Sequence, residues 1–205
     1  MKTSIAIGAL ALAAIAGSAN AGIVDPFTTT QVGGGASATW SSIPSSLFAQ
    51  RRVQRFNNST ASVGSGAWSF AFTNTNGTAI LAYRQDIDDS TIDLSGIASM
   101  SFDITVTGTV SLNWYLEDNN GPLNLIQAGA PVILTGTSTQ TLNFSTAYIE
   151  PGFDLSAVTG MMIQIGSDSS SASAMVSNFT YTLVPTPGAV ALLGMGGLLA
   201  ARRRR

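Results

Sequence analysis

The sequence predicts an all-β protein, an antiparallel β-sandwich of jelly-roll type. Three observations predict it. Short runs of alternating apolar and polar residues recur at intervals of roughly 10–15 residues through the middle of the chain, with turn signals between them. No apolar pattern of helical period is sustained outside the two ends. The middle is also rich in Ser, Thr, Asn and Gly, and only 10% of the whole chain is charged.

In chain order, residues 22–49 read as an extended leader and a first strand, opening on Gly22-Ile23-Val24-Asp25-Pro26-Phe27. Residues 50–183 read as the sandwich domain. The run 51–56 alternates. In 67–72, Trp68, Phe70 and Phe72 share one side. The run 78–84 sets Ile80 and Ala82 on one side and Leu81 and Tyr83 on the other. Phe102, Ile104 and Val106 line up in 101–106, and Leu112, Trp114 and Leu116 in 110–116. Later runs are 131–134, 139–144, 161–165 and 175–183. Asn76-Gly77, Gly108, Asn119-Asn120-Gly121-Pro122, Gly136 and the serine-rich stretch 167–173 separate the runs. Nine strands at such spacing point to a sandwich.

One segment echoes another. Asp93-Leu94-Ser95-Gly96-Ile97-Ala98-Ser99-Met100 and Asp154-Leu155-Ser156-Ala157-Val158-Thr159-Gly160-Met161 each lead into a strand. The aspartates read as turn residues whose carboxylates accept from nearby backbone N–H groups. Followed by Phe102-Asp103-Ile104 and Ile163-Gln164-Ile165, the pair resembles the strand starts of galactose-binding-like jelly rolls. That resemblance implies the architecture of many carbohydrate-binding modules.

The two ends carry targeting chemistry. Lys2, an apolar run over 5–15, and Ala19 and Ala21 at the −3 and −1 positions make a three-part secretory signal over residues 1–21, cut after Ala21. The expected partners are the secretion translocon and signal peptidase. At the other end come Val184-Pro185-Thr186-Pro187-Gly188, an apolar stretch over 189–201, and Arg202, Arg203, Arg204 and Arg205. Thirteen apolar residues make about 20 Å of helix, shorter than the roughly 30 Å hydrocarbon core. The order is nevertheless that of a stop-transfer segment held by cytoplasmic arginines, a short transmembrane helix that puts the membrane among the partners before processing.

Residues 184–205 resemble a PEP-CTERM sorting tail, the bacterial signal handled by the membrane transpeptidase exosortase. Val184-Pro185-Thr186-Pro187 occupies the motif, the stretch from Gly188 the helix, and the four arginines the terminus. Thr186 stands where the family name implies Glu. The resemblance implies an exosortase partner and a location in the bacterial cell envelope, at the cell surface or in the extracellular matrix.

Charge and composition exclude several functions. Residues 22–184 hold four basic side chains (Arg51, Arg52, Arg55, Arg84) against eleven acidic ones, a net charge of −7 where the whole chain has −2. An acidic domain argues against nucleic acid as a partner. Without Cys there is no disulfide, thiolate site or cysteine nucleophile. Without His the commonest general base and metal ligand is missing.

Four sets of residues are candidate sites. Asp86, Asp88 and Asp89, with Asp93 nearby, offer closely spaced oxygen ligands suited to a structural calcium, the one cofactor the sequence suggests. Glu117 and Asp118 are the adjacent carboxylates a glycoside hydrolase would need, but neighbours on a strand point to opposite faces. Trp40, Trp68, Tyr83, Trp114, Tyr115 and Tyr148 could stack on sugar rings; of these, Trp68 and Trp114 read as core, whereas Tyr83 and Tyr115, on the face opposite their apolar neighbours, are candidate platforms. Arg51 and Arg55 share a strand face on which an acidic polysaccharide could dock. The first reading is a non-enzymatic exported surface or matrix protein whose sandwich binds or structures extracellular polysaccharide. The second is a purely structural surface or biofilm component with no ligand site. A hydrolase is the third and least favoured.

Overall fold

A computed structural model describes residues 21–57, 59–73, 76–85, 90–118, 125–126, 131–167 and 171–184. The signal segment before Ala21, the sorting motif from Pro185 to Gly188, the tail arginines Arg202–Arg205, both expected terminal helices, and Asp86, Asp88 and Asp89 lie outside the described residues.

The fold is an all-β antiparallel sandwich. Its strands are β1 (Ala21–Asp25), β2 (Gln31–Val32), β3 (Ser41–Ser42), β4 (Gln50–Phe56), β5 (Ser59–Gly64), β6 (Ala67–Phe72), β7 (Gly77–Arg84), β8 (Ile97–Asp118), β9 (Leu125–Ile126), β10 (Val132–Asn143), β11 (Tyr148–Ile149), β12 (Val158–Ser167) and β13 (Ser173–Leu183). They hydrogen-bond in the order β2-β5-β6-β13-β8-β12-β7-β4-β3, with β1 on β13, β10 on β8, and β9 with β11 as a separate pair.

β8 turns this continuous path into two layers. Its first half pairs with β13, and its second half with β12. The change of layer falls at Gly108, whose φ of +84° is open to glycine at little cost. Opposite it, β10 slips register between Leu134 and Gly136, and Gly136 also has positive φ. The paired irregularity lets both strands bend without losing their ladder. The two halves of β8 then face each other, and Phe102 stacks on Trp114 with ring centroids 5.0 Å apart.

Strict alternation on β8 sends Met100, Phe102, Ile104, Val106, Val110, Leu112, Trp114 and Leu116 inward. Trp68, Phe70 and Phe72 of β6 and Ile163 and Ile165 of β12 complete the same core, with Phe179 of β13 packed against Phe102 and Trp114. Each large buried side chain contributes about 1.5–3 kcal/mol relative to exposure.

Three expectations change. Runs 101–106 and 110–116 are one strand, because Gly108 bends the chain where a turn was expected. Runs 131–134 and 139–144 likewise merge into β10. Residues 22–49 contribute β1, β2 and β3 and belong to the compact unit spanning 20–184. Their short, polar strands carry too little alternation to be seen as sheet.

Candidate functional site

Strand parity on β4 separates Arg51 from Arg52. Val53 is fully buried, so Arg51 two residues earlier shares its inward face and Arg52 points outward. Arg51 is accordingly buried, and its Nη1 donates to Asp25 Oδ2 at 2.7 Å. Nη2 donates to the Thr29 carbonyl at 2.6 Å and Nε to Gln31 Oε1 at 3.3 Å. Tyr83, the cross-strand partner of Arg51, donates its hydroxyl to the same Asp25 oxygen at 3.1 Å. Asp25 Oδ1 accepts from the Phe27 backbone N–H at 2.7 Å, closing a turn through Pro26. Burial pushes the Tyr83 phenol well above its ordinary value, and the Asp25 charge pushes it further.

The expectation that Arg51 and Tyr83 form a ligand surface is therefore corrected. Both lie inside, where an ionised carboxylate and guanidinium bind β1 of one layer to β4 and β7 of the other. Arg55 is exposed, but its guanidinium donates to the carbonyls of Gly33 (2.9 Å) and Ser59 (3.1 Å) and ties the β4–β5 corner. Tyr115 faces outward on the sheet, half-buried and directly across from Met162.

The outward face of β4, β7, β12 and β8 carries a hollow. Trp40, Arg52, Ala82, Arg84, Glu117, Gly160 and Met162 line it. The register puts Tyr115, Met162, Ala82 and Arg52 in one row, and Glu117, Gly160, Arg84 and Gln50 in the next. Gly160 is the floor of the second row: a Cβ there would sit 3.2 Å from the Tyr83 carbonyl oxygen and 3.3 Å from Glu117 Oε2. Trp40 comes from the segment just before β3 and lies against both arginines. The guanidinium carbons stand 4.7 Å (Arg52) and 4.1 Å (Arg84) from its ring centroid.

The electrostatics of the hollow are unusual for so acidic a domain. Arg84 Nε donates to Gln50 Oε1 at 2.8 Å. Arg52 Nε is buried with no hydrogen-bond partner. Among the described residues the one ion pair is Arg51 with Asp25, so neither Arg52 nor Arg84 has a carboxylate within ion-pair distance. Burial and the neighbouring Arg84 charge lower the Arg52 pKa, and Glu117 partly offsets them.

Glu117 and Asp118 leave the strand on opposite faces. Glu117 lines the hollow, while Asp118 is buried and its Oδ2 accepts from the Asp154 N–H at 2.9 Å. They do not flank a common bond. Asp93 and Asp154 behave as their echo suggests. Oδ1 of each accepts from the backbone N–H two residues on, at 2.8 Å in both, and from the serine hydroxyl there.

Sequence reasoning named Trp40 among the aromatics that could stack on a sugar ring, but not with these partners, and passed over Arg52 and Arg84 as site residues. The parity of Val53 marks Arg52 as outward. Nothing local marks Trp40, which reaches the face across the sheet from an irregular segment.

No family model matches the chain, and no curated protein matches it. Solved structures overlap it in part. An exo-β-agarase superposes with a TM-score of 0.48 at 12% identity, over 65% of this chain and 23% of that one. The family 30 carbohydrate-binding module of a cellulosomal cellulase of Clostridium thermocellum gives 0.46 at 15% identity, over 81% and 99%. The family 11 module of a cellulosomal cellulase of the same organism gives 0.43 at 15%, over 82% and 96%. The chain spans less than a quarter of the two agarases it overlaps. The fold assignment rests on the strand pairing itself.

Proposed function

We propose that the sandwich binds polysaccharide through the outward hollow around Trp40, and that it does so as an exported, non-enzymatic surface or matrix protein. One observation carries the binding reading: a half-buried indole beside a side-chain-free Gly160, ringed by Arg52, Arg84 and Glu117. An aromatic face accepts the apolar side of a pyranose, and the surrounding donors and acceptors take its hydroxyls. Tyr115, one strand over in the Met162 row, extends the polar-aromatic strip. The opposite disposition of Glu117 and Asp118 supports binding without hydrolysis.

Export rests on the signal segment 1–21. Surface sorting rests on Val184–Gly188 and the terminal arginines. In this reading the chain passes the translocon and signal peptidase, and an exosortase-type transpeptidase acts on the tail. Intact mass spectrometry of the native surface form tests it: an N-terminus at Gly22 and a C-terminus among residues 185–188 are expected, and retention of Arg205 would overturn cleavage of the tail. The calcium reading of Asp86, Asp88 and Asp89 is carried forward as a proposal, tested by the effect of a chelator on the unfolding temperature. No shift would remove it.

For the sandwich, the full-length chain is applied to a glycan array. Binding that drops on Trp40→Ala supports the hollow as the site. Absence of binding to every glycan would sink the reading.

A second reading has its own observation. On the outer face of the other layer, hydroxyls pair with one another: Ser99 with Thr182 at 2.7 Å, Thr105 with Thr137 at 3.2 Å, and Ser101 with Thr180 at 3.4 Å. A face whose side chains satisfy one another in this way suits a structural matrix component without a ligand.

A further inference from the structure

The domain spends its few cations unevenly. Arg51 is buried against Asp25, and Arg55 is bound to two backbone carbonyls. The remaining two, Arg52 and Arg84, come from different strands, project from the same face and converge on one indole. Two like charges held together with no carboxylate in ion-pair distance among the described residues repel each other, and part-burial removes some of the water that would screen them. Stacking on the Trp40 ring offsets part of that cost for each. Among the described residues Glu117 is the single acid lining the hollow, and it is not within ion-pair distance of either. Arg52 Nε, buried and unpartnered, is a donor that the protein itself leaves unused.

Resting on the polysaccharide reading of this hollow, we infer that its ligand is an acidic polysaccharide, whose carboxylate or sulfate group is clamped between Arg52 and Arg84 while its sugar ring lies on Trp40. An anion between the two guanidinium groups removes their repulsion. Guanidinium forks match the geometry of such oxyanions in a way a point charge does not. The surrounding domain, at −7 over residues 22–184, repels acidic polymers everywhere else. The clamp thereby fixes where an acidic chain can sit.

The test titrates the full-length chain with polygalacturonate, dextran sulfate, unmodified dextran and inorganic sulfate, reading heat and tryptophan emission. A Trp40→Phe variant identifies the emission that comes from the hollow. At least one charged polymer is expected to bind about ten-fold or more tighter than dextran, with affinity falling as salt rises. The polygalacturonate and dextran sulfate arms separate carboxylate from sulfate. Arg52→Gln and Arg84→Gln are each expected to lose about ten-fold or more, and Arg55→Gln to lose nothing. Arg52→Lys and Arg84→Lys are expected to keep part of the salt-dependent binding, which separates lost charge from lost folding. Unmodified dextran binding as tightly as the charged polymers, or binding indifferent to both arginine substitutions, would overturn the anion clamp and leave the polysaccharide reading standing. Sulfate shifting Trp40 emission through the arginines while no polymer binds would keep the clamp and remove the polysaccharide reading. Silence from every probe would remove both.

Discussion

Asp25 and Arg51 form an ion pair 2.7 Å long with both side chains fully buried, and they come from opposite layers of the sandwich. Asp25 closes β1 on β13, while Arg51 sits on β4 beside Tyr83 of β7. The pair is thus an ionic tie across a core that is mostly aromatic and aliphatic. Removing one member leaves the other charged, buried and unpaired. Asp25→Ala and Arg51→Ala are each expected to lower unfolding free energy by about 3–5 kcal/mol, measured by urea denaturation. The double replacement Asp25→Leu with Arg51→Met is expected to recover much of that loss, because no stranded charge remains.

The aromatic stack across the bend gives a second expectation. Phe102 and Trp114 are both essentially buried and lie on the two halves of one strand. Trp114→Ala is expected to cost about 3–5 kcal/mol, read from the same denaturation curves. A loss under about 1 kcal/mol would mean the layers do not pack through this pair.

Gly108 gives a third. Its φ of +84° lies in the left-handed region, and a Cβ would stand 3.3 Å from Ala172 Cα. Gly108→Val therefore combines backbone strain with a backbone contact that cannot swing aside. A loss of about 1–3 kcal/mol is expected, seen as a lower thermal midpoint. Unchanged stability would show that β8 bends elsewhere.

Acid is expected to weaken the fold through exposed aspartates. Asn178 Nδ2 and Thr139 Oγ1 each donate to Asp103 at 2.7 Å and hold its carboxyl below its ordinary value. The hydrogen bonds from Ser95 and Ser156 do the same for Asp93 and Asp154. A lowered folded-state pKa means the unfolded chain binds protons first. This stabilisation is complete above the unfolded aspartate value of about 3.9 and is lost as pH falls through the lower folded values. Urea midpoints are expected to fall below about pH 4, and Asp103→Asn to flatten that fall slightly, since solvent screening keeps each contribution small.

Gly160 tests the hollow from its floor. Its missing side chain leaves the space between the Tyr83 carbonyl and Glu117 open. Gly160→Val is expected to abolish glycan binding while changing unfolding free energy by no more than about 1–2 kcal/mol. Unaltered binding would place the site elsewhere.

Much of the architecture was legible because alternation is a local property. The inward sets of β6 and β8 follow from residue parity, and the turns at Asp93 and Asp154 from side chains bonding two residues along. Parity also held the correct placement of Arg51 and Tyr83, through Val53 and Leu81. An arginine and a tyrosine were expected at the surface because burying a charge is costly alone. The counter-charge that makes it tolerable is Asp25, twenty-six residues away in sequence. The continuity of β8 through Gly108 was hidden for a related reason: a glycine that bends a ladder and one that ends it look alike until the partner strand is known.

The sequence by itself determined an acidic, Cys- and His-free β-sandwich, because composition and period-2 patterning act residue by residue. Tertiary structure alone decided that Arg51 meets Asp25 inside and that Arg52 and Arg84 meet at Trp40 outside. Those outcomes depend on distant strands meeting, and the energies that settle them belong to pairs that do not exist until the layers close.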